Sequence, residues 1–457
     1  MKRATKIVLA VLVPIALVLL LAGLTLRRPP VAEVDDYGDL RIERRSLPDE
    51  KNIRILLADA INSLPRETSW YAWWKVVRAA SLGERDAEAT KRILEQSSDA
   101  RNRFRVGLAV CEGYAGTDKN RDLSSGMPDQ RAFISAHRLV FEEALSTNDV
   151  VTAYSQLLEQ LHLVTLLLNM PDDVRELNLS SAWLYYILPE CEKMLHQAEC
   201  RDEWLAVLDR ELPRQGAITR AGSHAIRGEF WRSSNGLADG TLLEETFNPW
   251  CQASMLHSAV GFIYKGNYQF SPTRALLAKA HRQSCEVVQS GCVTNGYFGA
   301  YFFGQPFGWA DVVRPNFGGR IVAERQSLRL RYNVGIIKQS ENGVACVRVL
   351  LACERYRRKY GNYPETLALL VPEFLSAVPL DTFGAGHLRY SREREILWSV
   401  GQNMKDDAGS IKSRSGGSGR FRDSNSIRAL DMVYPVSANK YEESMGWPFQ
   451  RKREPKR

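Results

Sequence analysis

The chain reads as a mainly α-helical protein: an irregular multi-helix body, solenoid-like or a bundle, with a small C-terminal β-hairpin, preceded by one transmembrane helix. Three observations predict this. Apolar residues recur at three and four from about Asn52 to Lys338, a largely apolar run fills Ile7 to Leu26, and a helix, turn and hairpin pattern follows Glu354. At 457 residues, 44% apolar and 25% charged, the composition is that of a folded protein with ample core.

The N-terminus comes first. Lys2, Arg3 and Lys6 precede Ile7–Leu26, in which only Thr25 is polar, and Pro14 and Gly23 are tolerable in a membrane helix. Twenty residues rising about 1.5 Å each span roughly 30 Å, one hydrocarbon core. The competing reading is a cleaved signal peptide, but that needs a shorter apolar region of about 7–15 residues and a small-x-small site. Ala22-Gly23-Leu24 is a poor version of that site, and no Cys follows for lipid attachment. The charges before the run outweigh Arg27 and Arg28 after it by a small margin, which predicts a cytoplasmic N-terminus with the bulk of the chain periplasmic or otherwise extracytoplasmic. Pro29-Pro30 through Asp35-Asp36-Tyr37-Gly38 then reads as a stiff tether.

The formal charge of +8 is modest, and part of it sits in Arg451-Lys452-Arg453-Glu454-Pro455-Lys456-Arg457 rather than along a groove. Nucleic acid is therefore not an expected partner; the membrane and envelope proteins are. The eight cysteines are even in number, so an oxidising compartment would allow pairing. Cys346 and Cys353, seven apart on a helix, lie about 10 Å apart along its axis, too far for a disulfide. Buried free thiols are the simpler expectation.

Within the body, Ile53, Leu56, Leu57, Ala60 and Ile61 share one helix face. Val150, Tyr154, Leu157, Leu161 and Val164 share another, widened by Val151 and Leu158. Helix starts are predicted at Ser146-Thr147-Asn148-Asp149 and at Ser180-Ser181, and stops at Gly113 and Pro189. No period near 34 or 40 residues recurs, which argues against a regular repeat array and leaves an irregular stack of helix pairs open. From Gly291 to Gly319 glycines alternate with aromatics such as Tyr297, Phe302, Phe307 and Trp309, which predicts an irregular loop packed by its own rings. A long helix is expected from Gly319 to Tyr360. Ser410 to Arg428, rich in Ser, Gly and Arg, is expected to be a mobile or disordered loop.

The C-terminal module can be read residue by residue. Gly361 can take the left-handed conformation that ends the long helix, and Pro364 suits the first turn of a short helix presenting Leu367, Leu370 and Val371. Asp381-Thr382-Phe383-Gly384 reads as a turn. Strands are predicted at His387–Tyr390 and Glu395–Val400, joined over Ser391-Arg392-Glu393-Arg394.

Tyr363-Pro364, Phe383-Gly384, Tyr390 and Ser399-Val400-Gly401 resemble the C-terminal region of the type II secretion major pseudopilin, over about 54 residues from Tyr356 to Gly409. The pseudopilin pattern has proline where Thr382 stands and an acidic residue where Asn403 stands, and its processing signal is missing between Met1 and Leu26. Its calcium loop would map here onto Asn403 to Asp407, with Asp406 and Asp407 as the remaining oxygen ligands. A longer resemblance, from Asn248-Pro249 through Asn316-Phe317-Gly318-Gly319-Arg320 to Gly409, is to an uncharacterised family of membrane-anchored bacterial helical proteins. That family implies a topology and no reaction.

Chemistry-bearing patterns are weak. Cys191-x4-His196-x3-Cys200 has the residue types of a zinc site, but its offsets of five and nine scatter the side chains around a helix. His137 with Glu142 and Glu143 lacks the histidine pair of a helical metalloprotease, and Glu244-Glu245 could place one carboxylate in a cleft. No nucleophile elbow or phosphate loop occurs. Trp70-Tyr71-Ala72-Trp73-Trp74 should send its three tryptophans to one side as a core seam, with a ligand platform as the alternative. The expected organisation is an anchor at 1–30, a linker at 31–50, a helical domain at 51–318, the long helix and pseudopilin-like module at 319–409, and a flexible basic tail at 410–457. The expected function is a non-catalytic binding or scaffold component of the bacterial envelope, with no catalytic, metal or cofactor residues assigned; an accessory of a type II secretion or pilus-like machine, and a hydrolase with carboxylates from separate helices, are the alternatives.

Overall fold

The computed structural model describes residues 35–43, 47–65, 69–113, 127–169, 171–214, 216–251, 268–293, 315–409 and 431–437. The expected anchor Ile7–Leu26, the aromatic loop from Gly296 to Trp309 and the Ser410–Arg428 stretch lie outside these residues. Among the described residues, twelve α-helices and one small antiparallel sheet make the protein mainly helical, and no helix is long and apolar enough to cross a membrane.

The chain divides into two compact units, each assembled from separated stretches. Of the described residues, one draws on 35–42, 226–251, 268–286 and 315–334; the other on those between 43 and 225, on 287–293 and on 335–409 with 431–437.

The larger unit contains α1 (Ile53–Asn62), α2 (Trp70–Ser81), α3 (Ala87–Gln96), α4 (Ser98–Val110), α5 (Met127–Ser146), α6 (Val150–Leu167), α7 (Val174–Leu195) and α8 (Asp202–Glu211). Helix α1 packs on α4, α2 on α5, and α6 on both α5 and α7. Caps fix the starts: the side chains of Asn52, Ser69, Asp86, Asp149 and Asp173 accept from the first-turn amides of α1, α2, α3, α6 and α7. Asp149 is the start expected from Ser146-Thr147-Asn148-Asp149, and Asn148 turns the chain into it with φ 61°.

Other boundaries differ from expectation. Ser180, Ser181 and Pro189 lie inside α7, whose start is Asp173. Proline removes one helical hydrogen bond, but Leu184, Ile187, Leu188 and Cys191 are buried around it, and their packing outweighs that loss. On α6, Leu157, Leu161 and Val164 are buried as predicted, whereas Val151 is 64% exposed and does not widen the stripe.

Three further helices, α9 (Ala217–Ala238), α11 (Phe270–Gln289) and α12 (Phe317–Tyr360), contribute to both units, while α10 (Thr241–Cys251) belongs to the smaller one. Helix α12 begins two residues before the expected Gly319. From Val344 to Cys353 it is buried on nearly every side, so its sequence carries no single apolar stripe. Gly361, at φ 85°, ends it, its amide donating to Arg357 O at 2.7 Å.

The core of the smaller unit gathers Tyr37, Leu40, Phe230, Leu237, Phe247, Leu277 and Val322. Tyr37, at the end of the expected tether, and Leu40 just beyond it are thus part of a folded core, while Pro29 to Val34 lie outside the described residues. Tyr37 and Leu40 are each 1% exposed, Trp231 Nε1 donates to Leu40 O at 2.7 Å, and the Arg274 guanidinium lies 4.5 Å from the centre of the Tyr37 ring. Arg282 grips both acids of the segment, Asp35 and Asp39, at 2.7 Å. Hydrogen bonds to Arg282 hold both carboxyls below the usual carboxylate range.

The sheet lies in the larger unit. Strands β1 (Arg389–Ser391) and β2 (Ile396–Ser399) form the predicted hairpin, with Tyr390 opposite Leu397. A third strand, β3 (Met432–Pro435), pairs antiparallel with β2 and makes it the central strand. The expectation of a plain hairpin with a flexible tail from 410 is corrected at Met432–Pro435. Its short apolar run Met432-Val433-Tyr434 buries Val433 and Tyr434 and satisfies the open edge of β2.

Candidate functional site

Helix α2 carries aromatic and cationic side chains interleaved at its surface. Trp73 and Val77, one turn apart, are 5% and 0% exposed and set the rotation of the helix against α5. At 100° per residue, Tyr71 and Lys75 must then point away from the core, with Trp70, Trp74 and Arg78 flanking. The expectation that all three tryptophans face the core is corrected. Only Trp73 is buried: Trp74 stands about 100° round the helix from it, and Trp70, at the first position of the helix, is partly exposed.

The outward rings form a ladder. Tyr71 stacks on Trp74 with centroids 5.9 Å apart and planes 15° apart, and Trp70 meets Tyr71 edge-on at 5.8 Å. Each ring carries a cation: Lys75 Nζ lies 4.6 Å from the Tyr71 centroid, Arg78 5.3 Å from Trp74, and Arg131 of α5 5.0 Å from Trp70. No Asp or Glu occurs in Trp70–Ser81.

A buried polar seam occupies α5, α6 and α7. His137 stands among Phe104, Phe133 and Trp183, with ring centroids 4.6–5.7 Å away, and its Nδ1 pairs with Gln156 Nε2 at 3.0 Å. Burial, aided by Arg101 and Arg105, pushes its pKa down to about 3, so the ring is neutral. Gln160 Nε2 donates to Glu190 at 3.0 Å, and Arg138 Nε lies 3.4 Å from the other carboxylate oxygen. Burial raises Glu190 to about 8 despite Arg138. Both groups are buried, each about 1% exposed.

The remaining sequence candidates are dispersed. Glu142 pairs with Lys193 and Glu143 with Arg85, which separates both from His137. Cys191 and Cys200 are buried thiols whose pKa values burial raises, Cys200 to about 11, and burial lowers that of His196. No group of three or more His, Cys, Asp or Glu able to hold a metal occurs among the described residues. No disulfide joins the seven cysteines whose side chains are described, and Cys346 and Cys353 are both buried in α12. Glu244 and Glu245 are exposed, Glu245 lying 3.9 Å from Arg329. A shallow groove of about 590 Å³ between α3 and α5 is lined by charges of both signs, including Arg85, Lys91, Glu88 and Glu143.

The C-terminal module is organised around Asp381, which is fully buried. Its carboxylate accepts from Phe383 N at 3.0 Å, Ser399 Oγ at 2.7 Å, Val400 N at 3.0 Å and Arg389 Nη1 at 3.2 Å, tying the turn to the sheet. Tyr390 OH donates to Pro364 O at 2.9 Å, linking two of the resemblance motifs. Pro364 itself precedes a 3-10 turn at Leu367–Leu370 rather than opening an α-helix.

The two departures from the pseudopilin pattern have structural counterparts. Thr382 donates its hydroxyl to Lys338 O at 3.0 Å and its amide to Asn342 Oδ1 at 3.4 Å, two donors a proline lacks. In the expected calcium loop, Asp406 accepts from Arg389 Nε and Trp398 Nε1, and Asp407 from Asn403 Nδ2 at 2.9 Å. Protein donors thus occupy oxygens that a cation would need. Sequence reasoning missed Asp431, whose carboxylate accepts from the Asp407 and Gly409 amides and closes this loop; no short-range signal connects it to them.

No protein-family model, curated protein or solved structure matches the chain.

Proposed function

We propose that the chain is a membrane-tethered, extracytoplasmic protein that acts as a non-catalytic binding or scaffold component of the bacterial envelope. The observation that carries this reading is the apolar run Ile7–Leu26 behind Lys2, Arg3 and Lys6. In this reading one inner-membrane helix holds an irregular stack of helices outside the cytoplasm. The burial of Tyr37 and Leu40 supports a short tether: only the eight residues Arg27 to Val34 separate the apolar run from the folded core, about 27 Å at full extension. The non-catalytic part rests on partners: His137, Glu142, Glu143, Glu190 and Asp381 are each taken up by structural contacts.

The test is extraction. Full-length chain should remain in the membrane pellet after alkaline carbonate, and a chain starting at Asp35 should be released. Recovery of the full-length chain, with its first thirty residues intact, in a detergent-free soluble extract overturns the reading.

A second reading, an accessory of a type II secretion or pilus-like machine, is favoured by the half-exposed Tyr360, Leu369 and Leu380 within the pseudopilin-like module. It predicts that Leu369→Asp with Leu380→Asp abolishes co-purification with a secretin or filament complex. Unchanged co-purification removes it.

A further inference from the structure

We propose that the outward face of α2 is a docking surface for anionic phospholipid, holding the larger unit against a bilayer. This extends the tethered reading and rests on it for delivery to the membrane, but its chemistry is carried by α2 and α5 alone. Tyr71 is exposed on the side of the helix away from Trp73 and Val77, and the partly buried amphipathic rings of Trp70 and Trp74 flank it. Rings of this kind partition to the boundary between headgroups and acyl chains, an apolar body on one side and a polar edge on the other. Interleaved Lys75, Arg78 and Arg131 supply positive charge at the same level, and the helix has no acidic residue to oppose it. An aromatic face lined with Lys and Arg is the pattern of a helix lying in the plane of a charged interface.

The geometry favours lipid over saccharide. A sugar stacks on an open ring face, whereas here a cation lies against each ring and Tyr71 and Trp74 cover one another. A phosphate-rich surface needs no open face. It draws the cations outward and receives the ring edges between the headgroups.

The experiment uses the full chain reconstituted in lipid nanodiscs, with tryptophan fluorescence read against brominated acyl chains. Wild type should be quenched, and Trp70→Phe with Trp74→Phe should lower the quenched signal at least twofold while helix content stays unchanged. A second variant, Lys75→Glu with Arg78→Glu and Arg131→Glu, keeps the rings. In it, the several-fold slower amide exchange of residues 70–81 in phosphatidylglycerol discs relative to phosphatidylcholine discs should vanish. Equal quenching of wild type and the tryptophan variant, equal exchange of wild type in both lipids, or protection of α2 by lipopolysaccharide core oligosaccharide in place of lipid overturns the proposal. Failure of the tether reads differently, as chain eluting apart from the discs; the same exchange comparison on chain added to vesicles of the two lipids then decides the surface independently.

Discussion

Removing the Asp381 carboxylate should unlock the C-terminal module. Asp381→Ala leaves the Phe383 and Val400 amides and the Ser399 hydroxyl without their acceptor in a site with no solvent access, and strips Arg389 of one of its two carboxylates. Hydrogen bonds to a charged group contribute about 1.5–3 kcal/mol each, yet three at one atom pair are not additive. The bounding figure is the loss of one partner from a buried ion pair, about 3–5 kcal/mol. At about 1.4 kcal/mol per decade, that is a rise of about two to three and a half orders of magnitude in local opening. Arg389→Ala should cost far less, about 1 kcal/mol or below, because that side chain is 30% exposed. Hydrogen exchange at the β1 and β2 amides, read peptide by peptide, separates this local opening from unfolding elsewhere. Exchange in Asp381→Ala within threefold of wild type would refute the assignment of Asp381 as the module's organising group.

Two titrations have opposite signs. Burial raises Glu190 to about 8, so the folded state holds a proton that the unfolded chain releases near its ordinary 4.5; stability is full at low pH and falls as pH rises from about 4.5 to 8. Urea unfolding of Glu190→Gln should lose that slope and exceed wild type by a few kcal/mol at pH 8. His137, lowered by burial to about 3, is neutral when folded, so stability falls as pH drops from about 6.5 to 3, and His137→Gln should flatten that limb. Tyr37→Ala, emptying a site 1% exposed, should cost about 3–4 kcal/mol and make residues 35–43 a preferred cleavage site in limited proteolysis. Thr382→Pro, although it restores the pseudopilin residue, should lower the unfolding midpoint by removing two buried donors.

Much of the helical body is legible because its signals are local. Asp149, Gly361, the Ile53–Ile61 face and the long helix ending at Tyr360 each follow from caps or periodicity within a few residues. Pro189 and Ser180-Ser181 mislead because their preferences are local and the burial that overrides them is not. The same holds for β3: Met432–Pro435 is a short apolar run whose partner, β2, lies over thirty residues earlier. On α2, periodicity correctly finds an amphipathic helix and misplaces its phase, since which of Trp70, Trp73 and Trp74 turns inward depends on what α5 offers. The tether signal in Pro29-Pro30 is compositional, and composition does not reveal that Tyr37 meets Arg274 and Phe230 more than 190 residues away.

The most direct measurement is protease protection in intact spheroplasts. An impermeant protease added outside should digest the body beyond Val34 and leave a fragment containing Ile7–Leu26 in the membrane. A body that stays whole until the membrane is breached would contradict the tethered, extracytoplasmic account.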